Sequence, residues 1–109
     1  MTRQFPWAAL AAGLLAAGLT APAYADAEAA MAKAGCTACH TANKKLVGPS
    51  FKDIAAKYKG QAAAPAALAA KARAGGKGVW GPIPMPPNPV SKISDADLAD
   101  AVNWILTKH

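Results

Sequence analysis

The sequence predicts a small all-α fold of about four short helices, on three observations. Four segments, beginning near Asp26, Ser50, Pro65 and Ser94, join helix-start residues to apolar spacing or to runs of helix-favouring alanine. Residues 82–89 hold five prolines in eight positions, which excludes helix and central strand there. The run Cys36-Thr37-Ala38-Cys39-His40 gives the helices something to be arranged around.

That run places two thiols one helical turn apart with a histidine directly after the second, the attachment pattern of a c-type haem. Both sulfurs can reach the two vinyl groups on one edge of a porphyrin. His40 then falls under the ring centre and can give an imidazole nitrogen to the iron. A thioredoxin-like Cys-x-x-Cys is the strongest competitor in an oxidising compartment, but such sites sit in a βαβ pattern and no β-rich alternating run precedes Cys36. Zinc lacks a convincing fourth ligand, since the only other histidine is His109.

The chain opens with Arg3, an apolar run over residues 7–19 and the small-x-small triplet Ala23-Tyr24-Ala25. This is the pattern of a secretory signal peptide cleaved after Ala25. The apolar run is 13 residues, short of the roughly 18–20 a bilayer span needs, so an uncleaved anchor fits less well. The mature chain is then residues 26–109, 84 residues forming one domain. Its large apolar residues are few, Leu46, Val47, Phe51, Ile54, Val79, Trp80 and Ile83 among them, and much of the rest is alanine. Domains with so thin a core usually need a staple, and a buried porphyrin supplies one.

Helix one is expected over residues 26–33, with acids early and Lys33 late to complement the helix dipole, and Gly35 ends it. Met31 lies too close to Cys36 to reach the far side of a porphyrin and is expected in the core. Residues 41–49 read as a loop with a turn at Gly48-Pro49, whose rigid carbonyl can accept the second ring N–H of His40. Ser50 with Asp53 forms a capping box that opens a helix through Tyr58, and Gly60 stops it. A third helix runs from about Pro65 to Ala74, with Leu68 inward, Lys71 and Arg73 outward, and Gly75-Gly76 at its end. Met85 sits in the middle of the proline run. On residue type alone a core methionine is the commoner fate. A stiff proline setting in a haem protein favours the other reading, a thioether opposite His40 that fills the sixth position and raises the reduction potential. The last helix follows Ser94, with Leu98, Val102, Ile105 and Leu106 on one face that should pack on helix one and the haem edge, and with a solvated His109.

Across nearly all of residues 26–109 the pattern resembles the small bacterial class I c-type cytochromes, closest to the cytochrome c-551 (cytochrome c8) group. The resemblance rests on Gly35-Cys36-Thr37-Ala38-Cys39-His40, on residues 47–55, and above all on Gly78-Val79-Trp80-Gly81-Pro82-Ile83-Pro84-Met85-Pro86-Pro87-Asn88. It implies the class I cytochrome c fold, with one haem c bound through Cys36 and Cys39. It also implies His40 and Met85 as axial ligands, the Pro49 carbonyl orienting His40, Trp80 bonding a haem propionate and Asn88 near the Met85 sulfur. Lys71 stands where relatives carry an arginine against a propionate; lysine keeps the charge but loses the planar fork.

With both axial positions filled, the expected function is a periplasmic single-electron carrier and not an enzyme. Were Met85 labile, a five-coordinate gas sensor or peroxidase-like protein would be the alternative. The whole chain carries 12 Lys+Arg against 6 Asp+Glu; without Arg3 the formal charge is +5, and two ionised propionates bring it to about +3. Lys44, Lys45, Lys52, Lys57, Lys71 and Lys77 can steer docking onto acidic patches of redox partners, or simply keep the surface solvated. The resemblance implies a quinol-oxidising cytochrome complex upstream and a terminal oxidase or nitrite reductase downstream. A monomer is expected, with no membrane anchor after cleavage. No nucleic-acid motif accompanies the basic charge.

Overall fold

A computed structural model describes residues 26–109 together with Gly13, so the expected signal peptide lies otherwise outside the described residues. Helix α1, Ala27–Ala34, ends on Gly35 at φ 89°, a left-handed cap that only glycine takes without strain. The chain tightens at once into a 3-10 turn, Cys36–Ala38, in which the His40 N–H returns to the Cys36 carbonyl at 3.0 Å. Helix α2, Phe51–Tyr58, begins where Ser50 Oγ accepts from the Asp53 N–H at 3.0 Å. Helix α3, Ala64–Ala74, carries Pro65 in its first turn, where the missing N–H costs nothing. Helix α4, Asp95–Lys108, is capped by Ser94 Oγ accepting from the Asp97 N–H at 3.1 Å.

Helix α4 is the spine, packing against α1, α2 and α3. The expected α1 contact is present, and Leu98 and Val102 are buried while Ile105 and Leu106 pack at the margin. Met31, 2% exposed, joins Phe51, Ile93 and Ala101 in that core, as its position before Cys36 suggested.

The proline run holds an element not expected. Strands β1, Gly76–Gly78, and β2, Gly81–Met85, form a two-stranded antiparallel ribbon pairing Gly78 with Gly81 and Gly76 with Met85. A two-stranded ribbon has no central strand, so Pro82 and Pro84, which cannot donate to a ladder, are tolerated. The register shifts between the two pairs. The fold is thus four helices with a small sheet that carries Met85 at its end.

A second departure concerns the large apolar residues. Leu46, Val47, Val79, Trp80 and Ile83 are 40–59% exposed rather than in the helical core. Four of them, all but Leu46, line one cleft.

Candidate haem-binding cleft

The cleft runs between the Cys-x-x-Cys-His turn, α3 and the hairpin and opens to solvent. Cys36, Cys39 and His40 meet Lys71, Trp80 and Met85 on its wall, and Pro49 lies there too. Side chains from the core, Phe51, Leu68, Leu98 and Val102 among them, complete an apolar lining. Residues from the two ends of the domain therefore share one surface. Asn88 stands behind that wall.

His40 is fixed on two sides. Its Nδ1 lies 2.7 Å from the Pro49 carbonyl oxygen, which can only accept, so Nδ1 carries a proton and the lone pair of the neutral ring is on Nε2. Gly48 crosses the ring so closely that a Cβ there would sit 2.6 Å from Cε1 and 3.0 Å from Nδ1. The loop holds this position through the Gly48 N–H donating to Cys39 O at 2.8 Å and the Phe51 N–H donating to Thr41 O at 2.9 Å. The Phe51 ring stacks on the imidazole at 5.9 Å and 21°, and meets Trp104 edge-on at 5.7 Å. His109, though exposed, packs its ring 4.8 Å from Trp104 and 5.6 Å from Phe51 rather than standing free. The two cysteines are half-buried and not joined to each other. Burial pushes the Cys36 thiol up, a shift opposed by its backbone hydrogen bond and by Lys92.

Met85 is held from behind. Gly75, at φ 70°, lets the end of α3 press on the chain that follows Met85: a Cβ there would lie 2.6 Å from the Met85 carbonyl oxygen and 2.8 Å from Pro87 N. Asn88 is 6% exposed; its Nδ2 donates to Ala72 O at 3.0 Å and Pro86 O at 3.3 Å, and its backbone N–H donates to Arg73 O at 3.1 Å. Arg73 does not point outward as its polar helix position suggested. Its Nη1 donates to Asn88 O at 2.8 Å and Ile93 O at 2.7 Å, and its Nη2 to Asp95 at 2.6 Å. Gly48 and Gly75, chain breaks by sequence, are in the structure the places where backbone touches the imidazole and the methionine loop.

A family model described as cytochrome c matches residues 24–108. The chain belongs to the cytochrome c family. It is 59% identical to a cytochrome c-551 of Azotobacter vinelandii over 73 residues, 67% of this chain and 85% of that one. It is 50% identical to a cytochrome c-552 of Nitrosomonas europaea over 98 residues, 89% and 88% of the two chains. The crystal structure of the wild-type Nitrosomonas europaea cytochrome c552 superposes with a TM-score of 0.68 at 49% identity, covering 73% of this chain and 96% of that one. As a small class I cytochrome of this kind, the protein is an electron carrier with one covalently bound haem c.

The cleft fits that group by its donors and its lining. Two thiols and the imidazole Nε2 come from the Cys-x-x-Cys-His turn, a thioether comes from the hairpin, and the cleft lining is largely apolar. Val47, Val79, Trp80 and Ile83, exposed in a chain so short of core residues, are spent on that lining. Lys71 and Lys77 are cations on the same wall, and Lys57 Nζ lies 5.5 Å over the Trp80 ring. The carboxylates of a propionate would find their positive partners on this side.

Proposed function

We propose that the protein is a monomeric, periplasmic electron carrier in which Cys36 and Cys39 form the haem thioethers and His40 and Met85 are the axial ligands. The haem supplies a one-electron couple at its iron. The observation that carries this reading is the bond from His40 Nδ1 to the Pro49 carbonyl, which fixes the tautomer with Nε2 as the free donor and raises its basicity. Met85, carried into the same cleft by the hairpin, supplies a soft thioether that favours the reduced state. With both sides taken by protein atoms there is no position for a substrate, so the chain's work is to bind, orient and exclude water. The five prolines from Pro82 to Pro89 leave Met85 few conformations to lose between oxidation states.

Lys71 and Trp80 serve the propionates, and Asn88 steadies the Met85 segment from behind. The signal-like residues 1–25 support export. Among the described residues no helix is long and apolar enough to cross a membrane. We place the carrier between a quinol-oxidising cytochrome complex and a terminal oxidase or nitrite reductase, docking by lysines on acidic patches. Absorption spectra of the exported haem-loaded protein test the core of this reading. The ferric form should show the weak far-red band of iron bound to a thioether, lost in Met85→Ala, and the reduced form should not bind carbon monoxide at neutral pH. Rapid stoichiometric carbon monoxide binding would instead establish a five-coordinate gas-binding or peroxidase-like protein.

A further inference from the structure

The segment around Met85 is poor in hydrogen-bond donors. Pro82, Pro84, Pro86, Pro87 and Pro89 have no N–H, so its backbone can attach to the rest of the protein mainly through carbonyls, and those need donors from elsewhere. Proline restricts the shape of such a loop but does not moor it. One backbone bond, from the Asn88 N–H to Arg73 O, ties it to α3, and two side chains add the rest. Asn88 Nδ2 serves Pro86 O and Ala72 O, which ties the loop to α3. Arg73, half-buried, gives the two hydrogens of Nη1 to Asn88 O and Ile93 O, the two ends of the turn that leads from the methionine segment into α4. The bonds are short and charge-assisted, the stronger class. The Ala72 carbonyl that receives Asn88 and the Arg73 guanidinium both belong to the last two turns of α3, which ends on Gly75, pressed against the Met85 carbonyl.

We infer that Arg73 is a positioning residue for Met85, its guanidinium closing the 88–93 turn and thereby setting how readily Met85 yields its place to another ligand. The inference rests on Met85 being the axial ligand. Arg73 is not on the cleft wall, so it acts through the loop and not by contact with the haem. The stiffness of Pro86 and Pro87 is what transmits the effect, because a displacement at Asn88 cannot be absorbed in the two residues between it and Met85. The ion pair with Asp95 is a lesser part of the arrangement: the Asp95 side chain is 89% exposed, so water competes for it. Lysine at this position could not span two carbonyls and a carboxylate with the same planar fork.

Imidazole is the probe. Its apparent affinity for the ferric haem-loaded protein, read by loss of the far-red band, is the intrinsic affinity scaled by the fraction of molecules with Met85 released. Arg73→Ala should bind imidazole about tenfold more tightly than wild type, with the band intact before addition. Arg73→Lys should fall between the two. Asp95→Asn should stay within about twofold of wild type. Ala55→Gly, a buried α2 position away from the cleft wall, lowers general stability and should also stay within about twofold. Arg73→Ala within twofold of wild type, or Ala55→Gly at a matched loss of urea stability moving the affinity as far, would overturn the inference. So would Asp95→Asn matching Arg73→Ala, since the exposed ion pair would then carry the effect. A wild-type protein without the band overturns the ligand reading and this inference with it; the band present and unmoved overturns this inference alone.

Discussion

Replacing Gly48 with alanine adds one methyl group where the structure has no room. The new Cβ would lie 2.6 Å from His40 Cε1, 3.0 Å from Nδ1 and 3.2 Å from Nε2. Carbon atoms rest about 3.5–4.0 Å apart, so roughly 1 Å of overlap must be relieved. The imidazole cannot swing away freely, because Nδ1 is bonded to Pro49 O at 2.7 Å and Phe51 stacks on the ring. The loop cannot retreat without breaking the 2.8 Å bond from the Gly48 N–H to Cys39 O. Overpacking of this kind costs about 1–3 kcal/mol, and one lost hydrogen bond adds about 1 kcal/mol. A loss of about 2–3 kcal/mol is expected, which for a domain of this size lowers Tm by roughly 10–20 °C. Urea unfolding of the haem-loaded protein, followed by far-ultraviolet circular dichroism, reads the loss as a lower midpoint at unchanged slope. If the Nδ1 bond lengthens, His40 becomes less basic and the reduction potential rises. A stability loss below about 0.5 kcal/mol, with the potential unmoved, would refute the claim that Gly48 is there to let the backbone cross the imidazole.

Gly75→Ala should be at least as damaging, since a positive φ is combined with a Cβ 2.6 Å from the Met85 carbonyl oxygen; urea unfolding measures it, and a cost under about 1 kcal/mol would contradict the close approach. Phe51→Ala removes a ring that is 5% exposed and touches His40, Trp104 and His109, so a loss of about 3–5 kcal/mol is expected by the same assay. If lysines steer docking, the second-order rate of electron transfer to an acidic partner should fall steeply as ionic strength rises from 0.01 to 0.15 M, where the screening length shortens from about 30 to 8 Å. A flat stopped-flow profile would leave the lysines a solvating role only.

What could be read ahead of the structure follows from how local each signal is. Helix ends fell within a residue or so of expectation at Ser50, Ser94, Gly35 and Gly75, because caps and left-handed glycines act on bonds to their immediate neighbours. The attachment run was legible for the same reason, its chemistry being written in five adjacent residues. The hairpin was hidden, since prolines that exclude a central strand say nothing against a two-stranded ribbon. Arg73 was misread because helix periodicity sorts residues by polarity, and a cation on the polar face looks solvated whether or not a loop 15 and 20 residues away comes back to it. An indirect signal was nevertheless present. Five positions without an N–H in one short segment leave its carbonyls short of local donors, and Arg73, just ahead of the glycines at the end of α3, presents five donors in one planar group. Counting donors along a proline-rich stretch, rather than scoring its propensity, points to the residue that the fold uses to hold it.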